Sequence, residues 1–122
     1  MSLTPEQRPL YAVKANLFKG LAHPLRIRIL EILSAEPEAS VAALQKETGL
    51  EASHLSQHLS VLRRHRLVAS ERRASNVYYR LSDPKVAEFL AVARALLIDV
   101  LANEGALLDD ARALPDLPLS RA

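Results

Sequence analysis

Leu55, Leu59 and Leu62 recur at i, i+4 and i+7 within EASHLSQHLSVLRRHR, residues 51–66, with Val61 beside them. That spacing lays one apolar stripe along a helix. It leaves Ser53, His54, Ser56, Gln57, His58 and Ser60 on the other side. The first turns of that side carry no formal charge, only short or planar side chains with donors and acceptors. Such a face suits reading base edges in a major groove, where amides, hydroxyls and imidazoles match donor and acceptor patterns. The last turn is basic, with Arg63, Arg64 and Arg66. Positive charge there complements the helix dipole and can also pin phosphates.

The segments around this helix predict a scaffold for it. Thr4-Pro5-Glu6-Gln7 reads as a capping box with Pro at the first helical position. Leu10, Val13, Leu17, Phe18 and Leu21 follow at helical spacing, with Tyr11 at the flank and Gly20 weakening or ending the helix near His23. Pro24 opens a second helix to about Ser34, with Leu25, Ile29, Ile32 and Leu33 inward, Ile27 and Leu30 thickening the stripe, and Arg26, Arg28 and Glu31 at the surface. Ser40 caps a short helix from Val41 to about Thr48, and Gly49 ends it. A short helix, a glycine turn and a second helix with a polar face form a helix-turn-helix pattern.

After Arg66 the period changes to two. Leu67–Arg73 and Asn76–Leu81 read as strands, with Ala74-Ser75-Asn76 as the turn and Asn76 supplying the tolerance for positive φ. This is a β-hairpin wing that carries Arg72 and Arg73. Ser82-Asp83-Pro84 starts a last helix, with Asp83 or Ser82 as its cap, running at least to Asn103. Its apolar residues are too many for a small core to cover, so part of this helix should bury against a partner. The expected interface is Leu10, Val13 and Leu17 on the first helix with Phe89, Val92, Leu96, Leu97 and Val100 on the last. One domain over residues 1–112 and a flexible tail, 113–122, complete the expected organisation.

Composition sets limits on function. The chain has 122 residues and no cysteine, which removes disulfide frameworks and thiolate metal sites. No apolar run approaches a bilayer span, and MSLTPEQRPL has no apolar core of a secretory signal, so a cytoplasmic location is expected. Net charge is only +2, but residues 63–80 hold Arg63, Arg64, Arg66, Arg72, Arg73 and Arg80 against the single acid Glu71. A basic middle followed by an acidic end fits a nucleic-acid surface on one side. His54, His58 and His65 share a face, yet no carboxylate or thiolate stands among them to complete a zinc site. His23 is expected to cap or pack. Ser53, Ser56 and Ser60 beside His54 and His58 lack a buried acid and an oxyanion site, so no enzyme is expected. Neither a metal nor another cofactor is assigned.

Leu21-Ala22-His23-Pro24-Leu25-Arg26-Ile27-Arg28-Ile29-Leu30, Gly49-Leu50, Leu55-Ser56-Gln57-His58-Leu59 with Val61-Leu62-Arg63, Leu67-Val68 and Val77-Tyr78-Tyr79-Arg80-Leu81 stand in one order and spacing. In this the chain resembles the arsenic-repressor (ArsR/SmtB) family of bacterial winged-helix transcription factors over about residues 10–100. The resemblance implies a mainly α fold with a β-hairpin wing, a dimeric winged helix-turn-helix. It also implies double-stranded DNA as partner, paired recognition helices in successive major grooves, and repression relieved by a ligand. Ser53, His54, Ser56, Gln57 and His58 fall on the recognition-helix positions, Arg72 and Arg73 on the wing, and Tyr78 and Tyr79 on hairpin positions where at least one packs.

Departures from the family pattern sharpen this expectation. Arg66 stands where the family often has glycine, which predicts a different turn there, and the wing tip also lacks its glycine. The helix Val41–Thr48 lacks the family's sensing cysteines, and Lys85 and Leu96 stand where a second type of site needs imidazoles, although Asp83 and Asp99 are present. Both common metal sites are therefore gone. A small molecule lodged between the terminal helices, a partner protein, or no inducer at all are the alternatives left. A winged-helix protein-interaction module without specific DNA binding is the competing function, and it predicts an acidic or apolar recognition face.

Overall fold

Capping chemistry decides where the helices begin. The computed structural model describes residues 2–102 and 112. The Thr4 amide donates to Gln7 Oε1 (2.9 Å) and the Gln7 amide to Thr4 Oγ1 (3.2 Å), the reciprocal pair of a capping box. Helix α1, Gln7–Leu21, follows. His23 has an extended backbone and accepts the Leu25 amide at Nδ1 (3.1 Å), and Pro24 then opens α2, Pro24–Ala35. Ser40 Oγ accepts the Ala43 amide (3.0 Å) and starts α3, Val41–Thr48. Gly49 at φ 70° closes α3 in the left-handed region that an L side chain resists. Helix α4 is Ala52–Arg64, and α5 is Lys85–Ala102, with Asp83 Oδ1 accepting the Lys85 amide (2.8 Å).

The stripe of α4 is buried as its spacing requires. Leu55 and Leu62 are fully buried and Leu59 nearly so, packed with Ile29, Leu30, Ile32 and Leu33 of α2 and with Leu44 of α3. The core continues into the sheet through Leu67, Val68 and Tyr79. Strand β1 is Ala39–Ser40, β2 is Val68–Arg73 and β3 is Asn76–Leu81; they form one antiparallel sheet in the order β1-β3-β2. The register pairs Ala39 with Tyr79, Val68 with Leu81, Glu71 with Tyr78 and Arg73 with Asn76. Because side chains alternate along a strand, Val68, Ser70 and Arg72 share the helix side of the sheet with Tyr79. Glu71, Arg73, Tyr78 and Ser40 share its outer side.

Several local expectations are corrected. The hairpin wing is a three-stranded sheet, since the break before α3 pairs with β3 as β1. Helix α4 is shorter at its C-terminus than residues 51–66, and the turn after it is not altered by Arg66. Arg66 adopts φ 60°, its amide bonds the Arg63 carbonyl (3.0 Å), and the Leu67 amide bonds the Leu62 carbonyl (2.9 Å). That is a complete Schellman closure, with Leu67 and Leu62 both buried beneath it. At the wing tip the positive φ belongs to Ala74 (55°), not Asn76, because the loop has only Ala74 and Ser75 between paired Arg73 and Asn76. Helix α1 ends at Leu21, one residue after Gly20 and near His23 as expected; an added Cβ at Gly20 would stand 2.8 Å from His65 Cγ, so this glycine also allows close approach to the end of α4. Ile27 is exposed rather than inward. Arg26 is drawn in from the surface: its Nε and Nη2 donate to the Gly20 (2.8 Å) and Lys19 (3.1 Å) carbonyls and close the end of α1. Asn103 and the expected tail 113–122 lie outside the described residues.

Candidate nucleic-acid interface

With its apolar stripe buried, α4 turns the opposite face fully outward. Ser53, His54, Ser56, Gln57 and Ser60 are all exposed. Arg63 and Arg64 follow on the same helix, also exposed, and neither makes an ion pair among the described residues. The face therefore presents uncharged donors and acceptors on its first turns and unneutralised guanidinium groups on its last. Nothing acidic lies on it between Ala52 and Arg64.

His58 differs from its neighbours. It is half-buried, and its ring lies 4.4 Å from that of His23, tilted by 49°. Burial first, then His23, Arg26 and His54 nearby, holds its pKa below the ordinary histidine value, so the ring is neutral at pH 7. His23 thus has two tasks, capping α2 and packing against α4. The sequence showed the cap but gave no sign of the ring contact, which joins residues 35 positions apart only after α2 and α4 pack. His65 packs against Gly20, so that end of the histidine row lies against α1. Among the described residues no set of His, Asp and Glu side chains comes together that could hold a metal ion.

The wing separates its two arginines. Arg72 is exposed on the helix side of the sheet and makes no ion pair among the described residues. Arg73, on the outer side, lies over the Tyr78 ring at 3.9 Å, donates from Nη2 to Glu38 Oε1, and places Nε 3.8 Å from Glu71 Oε2. The hydrogen bond to Glu38 raises the Arg73 pKa above its already high ordinary value. Glu38 has no role in the sequence pattern, because it reaches Arg73 only through the pairing of β1 with β3. Of the two wing tyrosines, Tyr79 packs in the core and Tyr78 carries Arg73.

The expected interface residues form a second exposed face. Leu10, Val13, Leu17, Phe89, Val92, Leu96, Leu97 and Val100 are between 38 and 69% exposed. Tyr11 and Phe18 extend the same surface, and the Phe18 and Phe89 rings meet at 5.9 Å where α1 crosses α5. Beside that crossing, Leu17, Leu21, Leu67, Lys85, Val86 and Phe89 line an apolar recess of about 210 Å³. No described helix is long and apolar enough to cross a membrane.

A helix-turn-helix followed by a hairpin wing, with a polar outward second helix, defines the winged helix-turn-helix class of DNA-binding fold. Residues 21–71 match the helix-turn-helix domain family. An uncharacterized HTH-type transcriptional regulator of Mycobacterium tuberculosis, Rv0081, is 48% identical over 108 residues, covering 88% of this chain and 95% of that one. Its crystal structure superposes with a TM-score of 0.74 at 50% identity over 80% of this chain and 98% of that one. Nodulation protein NolR of Rhizobium meliloti is 36% identical over 98% of this chain and 88% of its own length. The homodimeric winged helix-turn-helix DNA-binding domain of Mb0332 from Mycobacterium bovis, a possible ArsR-family regulator, gives a TM-score of 0.67 at 29% identity, over 87% of this chain and 93% of that one. The chain belongs to the family of HTH-type transcriptional regulators that includes Rv0081, and its fold is a winged helix-turn-helix.

Proposed function

We propose that this regulator is a homodimeric, sequence-specific repressor that binds an inverted repeat, with its two α4 helices in successive major grooves. The observation that carries the reading is the exposed, uncharged donor–acceptor face of α4, ending in arginines that make no ion pair among the described residues. An acidic or apolar face, which a protein-interaction module requires, is not what α4 presents. Gln57 and Ser56 take the base edges first, glutamine being matched to adenine, with Ser53, His54 and His58 beside them. Arg63, Arg64, Arg72 and Arg73 contact phosphates or the minor groove. Two-fold symmetry then sets half-sites about 34–36 Å apart, one helical turn. The second copy covers the exposed α1–α5 face, an arrangement supported by the homodimeric relative. A small-molecule inducer lodged between the terminal helices has the α1–α5 recess as its place. That recess touches Leu67, which closes the turn after α4.

Fluorescence-anisotropy titration of the protein against its own upstream DNA and a scrambled duplex, at two salt concentrations, tests this reading. Tight, sequence-selective binding that weakens steeply with salt is expected. Weak binding, equal on both duplexes and indifferent to salt, would reject it in favour of a protein partner for the same face.

A further inference from the structure

Arg73 is the last residue of β2, beside the two-residue loop at the wing tip, yet its charge is already engaged. Glu38 accepts a hydrogen bond from Nη2, and Glu71 stands 3.8 Å from Nε. The side chains of Arg73 and Glu38 are 47% and 39% exposed. An ion pair so open to water adds little to folding stability and exchanges readily. Tyr78 supports the guanidinium from below at 3.9 Å, independently of either acid, so the planar fork stays presented when a carboxylate leaves. A phosphate offers the same fork two oxygens, as a carboxylate does. Arg72 has none of these partners and is available at once.

We propose that Glu38 is an internal competitor for DNA: its carboxylate occupies the place of a backbone phosphate on Arg73, and duplex binding replaces it. Glu38 is thereby a positioning residue that sets the affinity of the wing without touching a base. The inference rests on the DNA-binding reading and deepens it. It divides the wing into a standing contact, Arg72, and a contact, Arg73, that is freed only against the resistance of Glu38.

A double-mutant cycle tests it on the full chain, with a random-sequence duplex of about 30 base pairs, enough for two half-sites. Anisotropy is read for wild type, Glu38→Gln, Arg73→Ala and the pair, with thermal melting showing that each variant folds. Glu38→Gln is expected to tighten binding by up to about fivefold per wing, the scale of one exposed ion pair. In the Arg73→Ala background the same change is expected to do nothing. Equal tightening in both backgrounds would make Glu38 a through-space repulsion and overturn the proposal. Unchanged or weaker binding by Glu38→Gln would overturn it too, and make the pair a brace of the wing. If no protein binds any duplex, the DNA-binding reading falls with it, whereas tight wild-type binding with a flat cycle removes the competitor alone.

Discussion

Two sets of aliphatic side chains of similar composition meet opposite fates in this molecule. Across α2, α3 and α4, Ile29, Leu30, Leu44, Leu55 and Leu62 lie fully buried. On α1 and α5, Leu10, Val13, Val92 and Leu96 are more than 60% exposed. The inner layer completes its burial within the chain. The outer layer buries little of itself, chiefly Gly20 and Leu21 of α1 with Ala87, Leu90 and Leu101 of α5. An apolar face this open on a small domain marks an interaction surface. The inner layer therefore fixes the position of α4, while the outer layer leaves its apolar face open.

The largest effect that separates the layers is a cavity in the inner one. Leu44→Ala or Leu59→Ala is expected to cost about 2–5 kcal/mol, measured by chemical denaturation, with little dependence on protein concentration. In the outer layer, Val92→Asp combined with Leu96→Asp is expected to leave the fold intact by circular dichroism. It should nonetheless yield monomers and weaken duplex binding about 100-fold, because the second half-site is no longer held in place. Loss of fold in that variant would erase the distinction between the layers.

Smaller changes sharpen the same contrast. Gln57→Ala is expected to cost about 1–3 kcal/mol on the preferred sequence and little on a scrambled one. Arg72→Ala should weaken both equally, and the two variants differ only if base edges and phosphates are contacted separately. Arg66→Gly should raise stability by about 1 kcal/mol, since the left-handed conformation at φ 60° penalises a Cβ; a denaturation midpoint that falls instead would show Arg66 held by something stronger than that strain. The smallest effect is one of pH. Burial and positive neighbours keep His58 neutral in the folded chain, whereas the unfolded chain takes up a proton near the ordinary value of 6.5. Stability from this group is full above about pH 6.5 and falls as pH drops through it towards the lower folded value. Melting temperatures from pH 8 to 5 should show this decline, and His58→Gln should flatten it.

Much of the inner layer could be read from the sequence because its signals are local. The i, i+4, i+7 leucines of α4, the Ser40 and Asp83 caps, Gly49 and the alternation through Val77–Leu81 each act within a few residues. What escaped the sequence depends on packing between distant segments. Strand β1 has two residues, too few to show a period of two. Glu38 reaches Arg73 only through sheet register, and His23 reaches His58 only after α2 and α4 meet. Gly20 stands at the helix end its pattern predicts, but its close approach to His65, 45 positions away, is a matter of packing. The strain at Ala74 follows from the loop having two residues, which shifts the positive φ off the asparagine. The outward α4 face and the exposed α1–α5 residues, by contrast, stand where their periodicity predicts.

Sedimentation velocity of the full chain, alone at micromolar concentration and then with its upstream duplex, tests the central claim most directly. Two chains in free solution and two chains on one duplex are the expected result if a second copy covers the outer face and both α4 helices engage the same DNA. A single chain in each case would contradict it, leaving the α1–α5 face for another partner and α4 to act alone.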